Sequence, residues 1–223
     1  MKPQPCRLCQ DQSSYFVRWQ RYDYFRCERC KLIQRSHFQL PTAAEERAEY
    51  DLHRNDPKDQ GYRRFLSKVT NPTLDWLQEN AVPSVSILDF GCGPGPTISN
   101  VLGEKGWMVR NYDPVFEPDV DALDHYYDLI TCTEVVEHFF DPIKSWSLLC
   151  SLLVEGGHLV VMTEPSDRYY SADTFQDWGY IREQSHVTFY HSDTMRWLAR
   201  YFRLHMKEVQ SGVYWFTRLS ESF

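Results

Sequence analysis

Leu88-Asp89-Phe90-Gly91-Cys92-Gly93-Pro94-Gly95 follows the short apolar run Val85-Ser86-Ile87 and leads into Pro96-Thr97-Ile98-Ser99-Asn100-Val101-Leu102. The apolar run reads as a buried strand ending at Asp89, and the alternate glycines read as a turn without Cβ atoms. A helix opens at Pro96, where a missing N–H costs nothing. A ligand's polar atoms can therefore reach the backbone. Dinucleotide-binding turns use a related pattern, G-x-G-x-x-G. Here the sixth position is Pro96, and the pattern is acid-x-G-x-G-x-G. A second acid, Asp113, lies eighteen residues after Gly95, at the end of the predicted strand Trp107-Met108-Val109-Arg110-Asn111-Tyr112. At a strand end it would accept two hydroxyl hydrogen bonds from a ribose. The Asp89 carboxylate suits an ammonium better than a phosphate. One site would then hold an amino acid and a nucleoside; the alternative is a tight strand-to-helix turn with no ligand.

A third segment, Asp128-Leu129-Ile130-Thr131-Cys132-Thr133-Glu134-Val135-Val136-Glu137-His138, completes an ordered series. Together the three resemble the signature segments of class I S-adenosylmethionine-dependent methyltransferases, the last being similar to the ubiquinone-biosynthesis type. The resemblance covers roughly residues 62–220. It implies an α/β, Rossmann-like sheet that is mostly parallel with an antiparallel last strand and helices on both faces. It also implies S-adenosylmethionine as cofactor. By position, the methionine moiety falls to Asp89, Gly91, Gly93 and Gly95, the ribose to Asp113, and the cofactor's edge to Thr133 and Glu134. Cys92 and Pro114 lie in the same loops and join the expected cofactor set.

At 223 residues, with 42% apolar and 25% charged side chains, the chain reads as one main domain plus a small one. No apolar run approaches the roughly 18 residues of a membrane span, and Met1-Lys2-Pro3-Gln4-Pro5 lacks a signal core, which points to the cytoplasm. Seven cysteines, an odd number, argue against a secreted disulfide framework. Charge is uneven. Residues 1–40 carry eight Lys/Arg against three Asp/Glu, whereas residues 41–223 carry sixteen against twenty-eight.

Within the basic head, Cys6-Arg7-Leu8-Cys9 and Cys27-Glu28-Arg29-Cys30 stand seventeen residues apart. Four thiolates at this spacing indicate a tetrahedral structural zinc site, with the intervening hairpin closing the loop. Residues 1–40 are therefore expected to form a zinc ribbon that the metal stabilises. A redox dithiol and a pair of disulfides are the competing readings. Gln10 and Lys31 occupy positions where such knuckles often carry glycine. Arg18, Arg21, Arg26, Arg29, Lys31 and Arg35 lie among Trp19, Tyr22, Tyr24 and Phe25, either as an RNA-binding face or as the solvated rim of a small aromatic core.

Residues 41–61 read as a linker: a short helix capped by Thr42, then a polar loop. Tyr50, His53 and Tyr62 are candidates for a lid over the cofactor. Residues 62–223 form the main domain, beginning with a helix between Gly61 and Asn80 that Pro72 should interrupt. The interval from Pro114 to Tyr127 is too short for more than a truncated third strand. A helix from Asp141-Pro142 is expected to run to Gly156-Gly157, ahead of a buried strand at Leu159-Val160-Val161-Met162. Residues 163–190 lack periodicity, and in the resembled family the insertion here lines the substrate pocket, with Trp178, Tyr180 and Phe189 as walls. The chain closes with a helix over Asp193–Tyr201 and two strands joined at Ser211-Gly212.

Methyl transfer needs in-line alignment and, for a hydroxyl, amine or enol, a proton acceptor. His186 in the 163–190 loop and His138 after the fourth strand are the candidate general bases. The favoured activity is C- or O-methylation of a small-molecule metabolite. The layout also resembles sugar C-methyltransferases that carry a four-cysteine ribbon ahead of the same fold. Two alternatives remain: an RNA-base methyltransferase gripping RNA with the ribbon, and an inactive cofactor-binding interaction module.

Overall fold

The computed structural model describes residues 1–51, 55–80 and 84–220. Four short strands open the chain: β1 (Gln4–Pro5), β2 (Gln12–Trp19), β3 (Tyr22–Cys27) and β4 (Ile33–Arg35). The Thr42 hydroxyl and Glu45 carboxylate cap each other's backbone at the start of α1 (Ala43–Tyr50). Asp59 caps α2 (Gln60–Glu79). Then follow β5 (Ile87–Phe90), α3 (Thr97–Gly103), β6 (Val109–Tyr112), β7 (Tyr127–Thr133), α4 (Pro142–Ser151) and β8 (Leu153–Met162). The last elements are α5 (Ala172–Asp177), β9 (Thr188–Phe189), α6 (Ser192–Tyr201), β10 (Leu204–Gln210) and β11 (Val213–Arg218).

The main sheet has the order β10-β11-β8-β7-β5-β6. β6, β5, β7 and β8 are parallel, and β11 lies antiparallel between β8 and β10. Successive side chains of a strand point to opposite faces, and the two faces are covered by different helices. Ile87, Leu129, Val160 and Met162 pack with Leu66, Val69 and Leu77 of α2 and Ile98 and Leu102 of α3. Leu88, Ile130, Cys132, Leu159 and Val161 pack with Trp146 and Leu149 of α4 and Met195 and Leu198 of α6. This is the expected α/β architecture. Between β6 and β7 the short acidic interval forms an isolated bridge between Asp113 and Glu117 and a helical turn at Val120–Asp124.

Two helix boundaries differ from expectation. Pro72 does not interrupt α2, which runs through it for 20 residues. A proline removes the N–H that would bond the carbonyl four residues back; here that carbonyl, on Lys68, accepts instead from Gln210 Nε2 at 2.6 Å. The helix after Asp141 stops at Ser151 and β8 begins at Leu153, so Gly156-Gly157 lie inside a strand. A Cβ on Gly157 would stand 2.9 Å from the Val154 carbonyl and 3.0 Å from that of Tyr127, where the register between β7 and β8 shifts. These glycines permit a bulge instead of ending a helix.

The second sheet joins distant parts of the chain. Its order is β1-β2-β3-β4-β9, all antiparallel, so the fifth strand of the N-terminal sheet comes from residues 188 and 189. The 163–190 stretch is thus neither wholly irregular nor free. Phe175, Trp178, Ile181 and Phe189 form one core with Val17, Tyr22, Tyr24 and Ile33. On the other side Cys6, Leu8, Cys27, Cys30 and Leu32 pack into the cluster that holds Trp146, Tyr190 and Leu198.

Candidate functional site

The carboxyl ends of β5, β6 and β7 open onto a cavity of about 600 Å³. Open α/β sheets bind ligands at this edge. Asp89, Gly91, Cys92, Gly93, Asp113, Pro114, Thr133 and Glu134 all line it. Gly91 and Gly93 adopt φ of 77° and 65°. A side chain on Gly91 would also collide with Val135, whose methyl carbon lies 2.3 Å from the Cβ position. Gly95 does not line the cavity. A Cβ there would meet the Asn55 carbonyl oxygen at 1.7 Å, so this glycine admits the backbone of the preceding segment over the loop. Tyr50, Tyr62 and Asn55 line the cavity from that segment; His53 lies outside the described residues.

The two acids of this end differ. Asp113 accepts from the backbone N–H of Gly93 at 3.1 Å through one oxygen, and of Val115 and Phe116 at 2.8 and 3.0 Å through the other. It thus ties the glycine loop to the turn after β6, and the oxygen facing Gly93, which accepts only one bond, keeps a lone pair for a ligand. Asp89 is buried and accepts from Thr131 Oγ1 at 2.7 Å. Burial raises its pKa to about 7, opposed by the Thr131 bond and helped by the Asp113 charge. A cationic ligand group would supply the missing counter-charge. The cavity, the Cβ-free loop and this carboxylate fit the amino-acid and ribose parts of S-adenosylmethionine. Cys92, whose thiol burial pushes up to about 12, is an unreactive wall.

At the other end of the cavity Glu134, His138, Glu183 and His186 line the surface. Glu134 has φ of 54°, unusual for a side-chain-bearing residue, and its N–H donates to the Met162 carbonyl. Tyr180 Oη lies 2.5 Å from Glu137 Oε1 and 3.2 Å from Glu134 Oε2. Burial raises Glu137 to about 7 and holds Glu134 well above the carboxylate range, with the Glu137 charge adding to the latter. The two carboxylates share one phenolic donor, and their burial and mutual repulsion favour the protonated form. His186 lies edge-on to His138, ring centres 4.7 Å apart, and Tyr50 packs against His138 at 5.4 Å. His186 Nδ1 is 2.7 Å from the Tyr180 carbonyl, so it is the donating nitrogen, and Nε2 lies 3.3 Å from Glu183 Oε2 and 3.9 Å from Glu137 Oε1.

Of the expected pocket walls, Tyr180 sits against His186 and Trp178 is stacked between Tyr169 and Tyr180, both on a second, smaller cavity that shares Glu134, Glu183 and His186 with the first. Phe189 is not a wall; it is buried in the core shared with the N-terminal sheet because β9 pairs with β4. Glu137, Glu183 and Asn55 escaped the sequence reading. Only Glu137 carried a signal, its place within the third signature segment.

The N-terminal segment holds this end in place. Arg7, from the first cysteine pair, donates to the carbonyls of Phe139, Phe140 and Val187 at 3.3, 2.8 and 2.6 Å. Arg35, fully buried, donates to those of Gln184 and His186 at 2.7 and 3.0 Å. Arg26 lies between the rings of Phe16 and Tyr170, and Arg21 bonds Tyr22 and Gln184. Arg35 and Arg26 are therefore taken up by internal contacts, whereas Arg18, Arg21 and Arg29 stay exposed, Arg18 and Arg29 beside Asp23 and Asp11. Cys6, Cys9, Cys27 and Cys30 bring their sulfurs within 4.8 Å of one another, the closest pairs at 3.4 and 3.5 Å. A tetrahedral zinc thiolate spaces its sulfurs by about 3.8 Å, so the four fit such an ion. Gln10 and Lys31, the residues after each second cysteine, adopt φ of 60° and 63°, the conformation for which glycine is usual.

A family model described as "Methyltransferase domain" matches residues 50–204. A ubiquinone biosynthesis O-methyltransferase of Aeromonas salmonicida is 25% identical over a match covering 47% of this chain and 54% of that protein; the chain spans about half the length of the curated relatives it matches. An O-methyltransferase family protein from Burkholderia thailandensis superposes with a TM-score of 0.52 at 15% identity, covering 82% of this chain and 66% of the other. A plantazolicin methyltransferase in complex with a pentazolic desmethylPZN analog and SAH gives 0.51 at 16% identity, covering 83% and 94%. These two share its fold.

Proposed function

The chain belongs to the methyltransferase-domain family, and on that premise we propose that it transfers the methyl group of S-adenosylmethionine to an oxygen or carbon nucleophile of a small molecule. The observation that carries the reading is the single cavity lined at one end by the acid-flanked glycine loop and at the other by His138, His186 and Glu134. The cofactor supplies a methyl group made electrophilic by its sulfonium. Asp89 receives the ammonium and Asp113 the ribose hydroxyls, Gly91 and Gly93 present backbone to the ligand, and Cys92, Pro114, Thr133 and Glu134 enclose it. Gly95 acts indirectly, by seating Asn55 over the loop. The acceptor substrate enters between the two cavities, where the histidine and glutamate cluster orients its nucleophile and takes its proton. The nucleophile's electron pair forms the new bond to carbon as the C–S pair returns to sulfur. Residues 1–40 form a zinc ribbon on Cys6, Cys9, Cys27 and Cys30, residues 41–61 cover the cofactor, and residues 62–223 carry the reaction.

The test is incubation of the purified protein with methyl-labelled S-adenosylmethionine and an extract divided into small-molecule and RNA fractions. Label in the small-molecule pool is expected. Label confined to RNA would overturn the substrate class, and cofactor binding without label in either pool would reduce the chain to a binding module. Among the described residues no helix is long and apolar enough to cross a membrane.

A further inference from the structure

Glu137, His138 and His186 bring one carboxylate oxygen and two imidazole nitrogens within 4.8 Å of one another. They come from two segments: a helical turn at Val136–His138 beyond β7, and the loop ahead of β9. We propose that these three side chains bind a divalent first-row transition cation at the floor of the acceptor end, separate from the cysteine site.

Several features converge on this site. The donor set is two imidazoles and one carboxylate, which matches such cations and leaves coordination positions open. Ligands about 2.1 Å from one ion stand about 3.0–3.5 Å apart, so movements of about an ångström bring all three onto it. His186 donates its Nδ1–H to the Tyr180 carbonyl at 2.7 Å, and a backbone carbonyl on the remote nitrogen is the usual way a ligating histidine is oriented and made more basic. Glu137 is fully buried, and its Oε2 has no hydrogen-bond partner. Finally, this acidic cluster lacks a Lys or Arg counter-charge: among the described residues neither Glu134, Glu137 nor Glu164 has an ion pair with a lysine or arginine, although Glu134 and Glu164 line the adjoining cavity. A dication would allow the carboxylates around it to remain ionised.

The surroundings preorganise the ligands. Arg7 donates to the carbonyls of Phe139 and Phe140, just after His138, and to that of Val187, just after His186. The Val187 N–H donates to the Glu137 carbonyl at 3.0 Å. The two ligand-bearing segments are therefore bound to each other and to one buried guanidinium. What the ion does rests on the methyltransferase reading: His138 and His186 line the cavity, so an ion held there would be within reach of the substrate's oxygen. Its charge acidifies the substrate hydroxyl, and the released proton passes to the Glu183 carboxylate beside His186. With the ion bound, ligation occupies the imidazole lone pairs, and Glu183 is the member of the histidine and glutamate cluster that takes the proton.

The experiment uses the full chain with its cysteine site filled with zinc, titrated with Mn²⁺ and followed by electron paramagnetic resonance. A second titration uses Co²⁺, read by its visible ligand-field bands. One further equivalent of cation per chain is expected. His138→Ala and Glu137→Gln, each checked for retained zinc, should weaken Mn²⁺ binding by at least about a hundredfold. The proposal is overturned by the absence of a second equivalent up to about 1 mM cation, or by binding that both folded variants retain in full. Because the readout needs no methyl transfer, a bound cation with no label transfer would count against the methyltransferase reading and leave the cation site standing.

Discussion

The two ends of the cavity are built over very different lengths of chain. At the glycine-loop end, Asp113 takes its hydrogen bonds from Gly93, twenty residues away, and from Val115 and Phe116 beside it. At the histidine end, Arg7 reaches carbonyls 132 to 180 residues distant, and Arg35 reaches Gln184 and His186. The first end forms wherever β5 and β6 pair. The second exists only if the N-terminal sheet is docked, and Arg7 lies between two cysteines of its first knuckle. The two ends should therefore fail separately.

The largest separation should come from the cysteine site. In so small a module the metal contributes of order 10 kcal/mol, so chelation or Cys27→Ser is expected to abolish hydrogen-exchange protection across residues 4–35 and 184–189. Protection in β5 to β8 should persist. Unchanged protection after chelation would remove zinc from the account; collapse of the whole sheet would remove the distinction between the ends.

Arg7→Met tests the same link without touching a cysteine. Three carbonyls lose a charged donor, a cost of about 3 kcal/mol at the observed distances. Local opening of 137–140 and 184–189 should rise accordingly, with cofactor affinity kept. Equal loss of cofactor affinity would show that the ends are coupled more tightly than their hydrogen bonds indicate.

Asp113→Ala works from the opposite side. Loss of the charged acceptor should weaken S-adenosylmethionine binding by about 1–3 kcal/mol in calorimetry and leave protection of residues 184–189 unaltered. Full retention of affinity would exclude a ribose role for this carboxylate.

The smallest effect is one of pH. Asp89, with its pKa raised to about 7, receives an ammonium only when ionised. Cofactor affinity should therefore fall about tenfold for each pH unit below 7. The free protein should respond with the opposite sign. The native state holds protons on Asp89 and Glu137 up to about pH 7 that the unfolded chain releases near its ordinary carboxyl range. Their contribution to stability is present at low pH and is lost as pH rises through about 7. Denaturant titrations at pH 5.5 and 8 check this, and an apo-protein more stable at pH 8 would contradict it.

How much of each end was legible follows from the same contrast. The glycine loop, Asp113 and the four cysteines are short spacings whose chemistry is local, and they stand in the fold as their residue types require. The constraint on Gly95 is a neighbour's backbone, Asn55, that no spacing reveals. Phe189 lies in the core and not on the pocket because a two-residue strand that pairs with Ile33 and Gln34 has no sequence pattern of its own. Pro72 reads locally as a helix break because Gln210, which bonds the freed Lys68 carbonyl, lies 142 residues away.

By itself, then, the sequence determined the α/β class, the edge of the sheet that opens into a cavity, and the cysteine knuckles. All of these depend on periodicity and backbone conformation within a few residues of one another. Tertiary structure alone decided that the N-terminal sheet takes its last strand from residues 188–189, that Arg7 and Arg35 are buried donors and not a basic surface, and that Glu137 meets His138 and His186. The reason is physical. A buried guanidinium or carboxylate is defined by the carbonyls and charges brought against it from other elements, and those partners are chosen only when the two sheets close on each other.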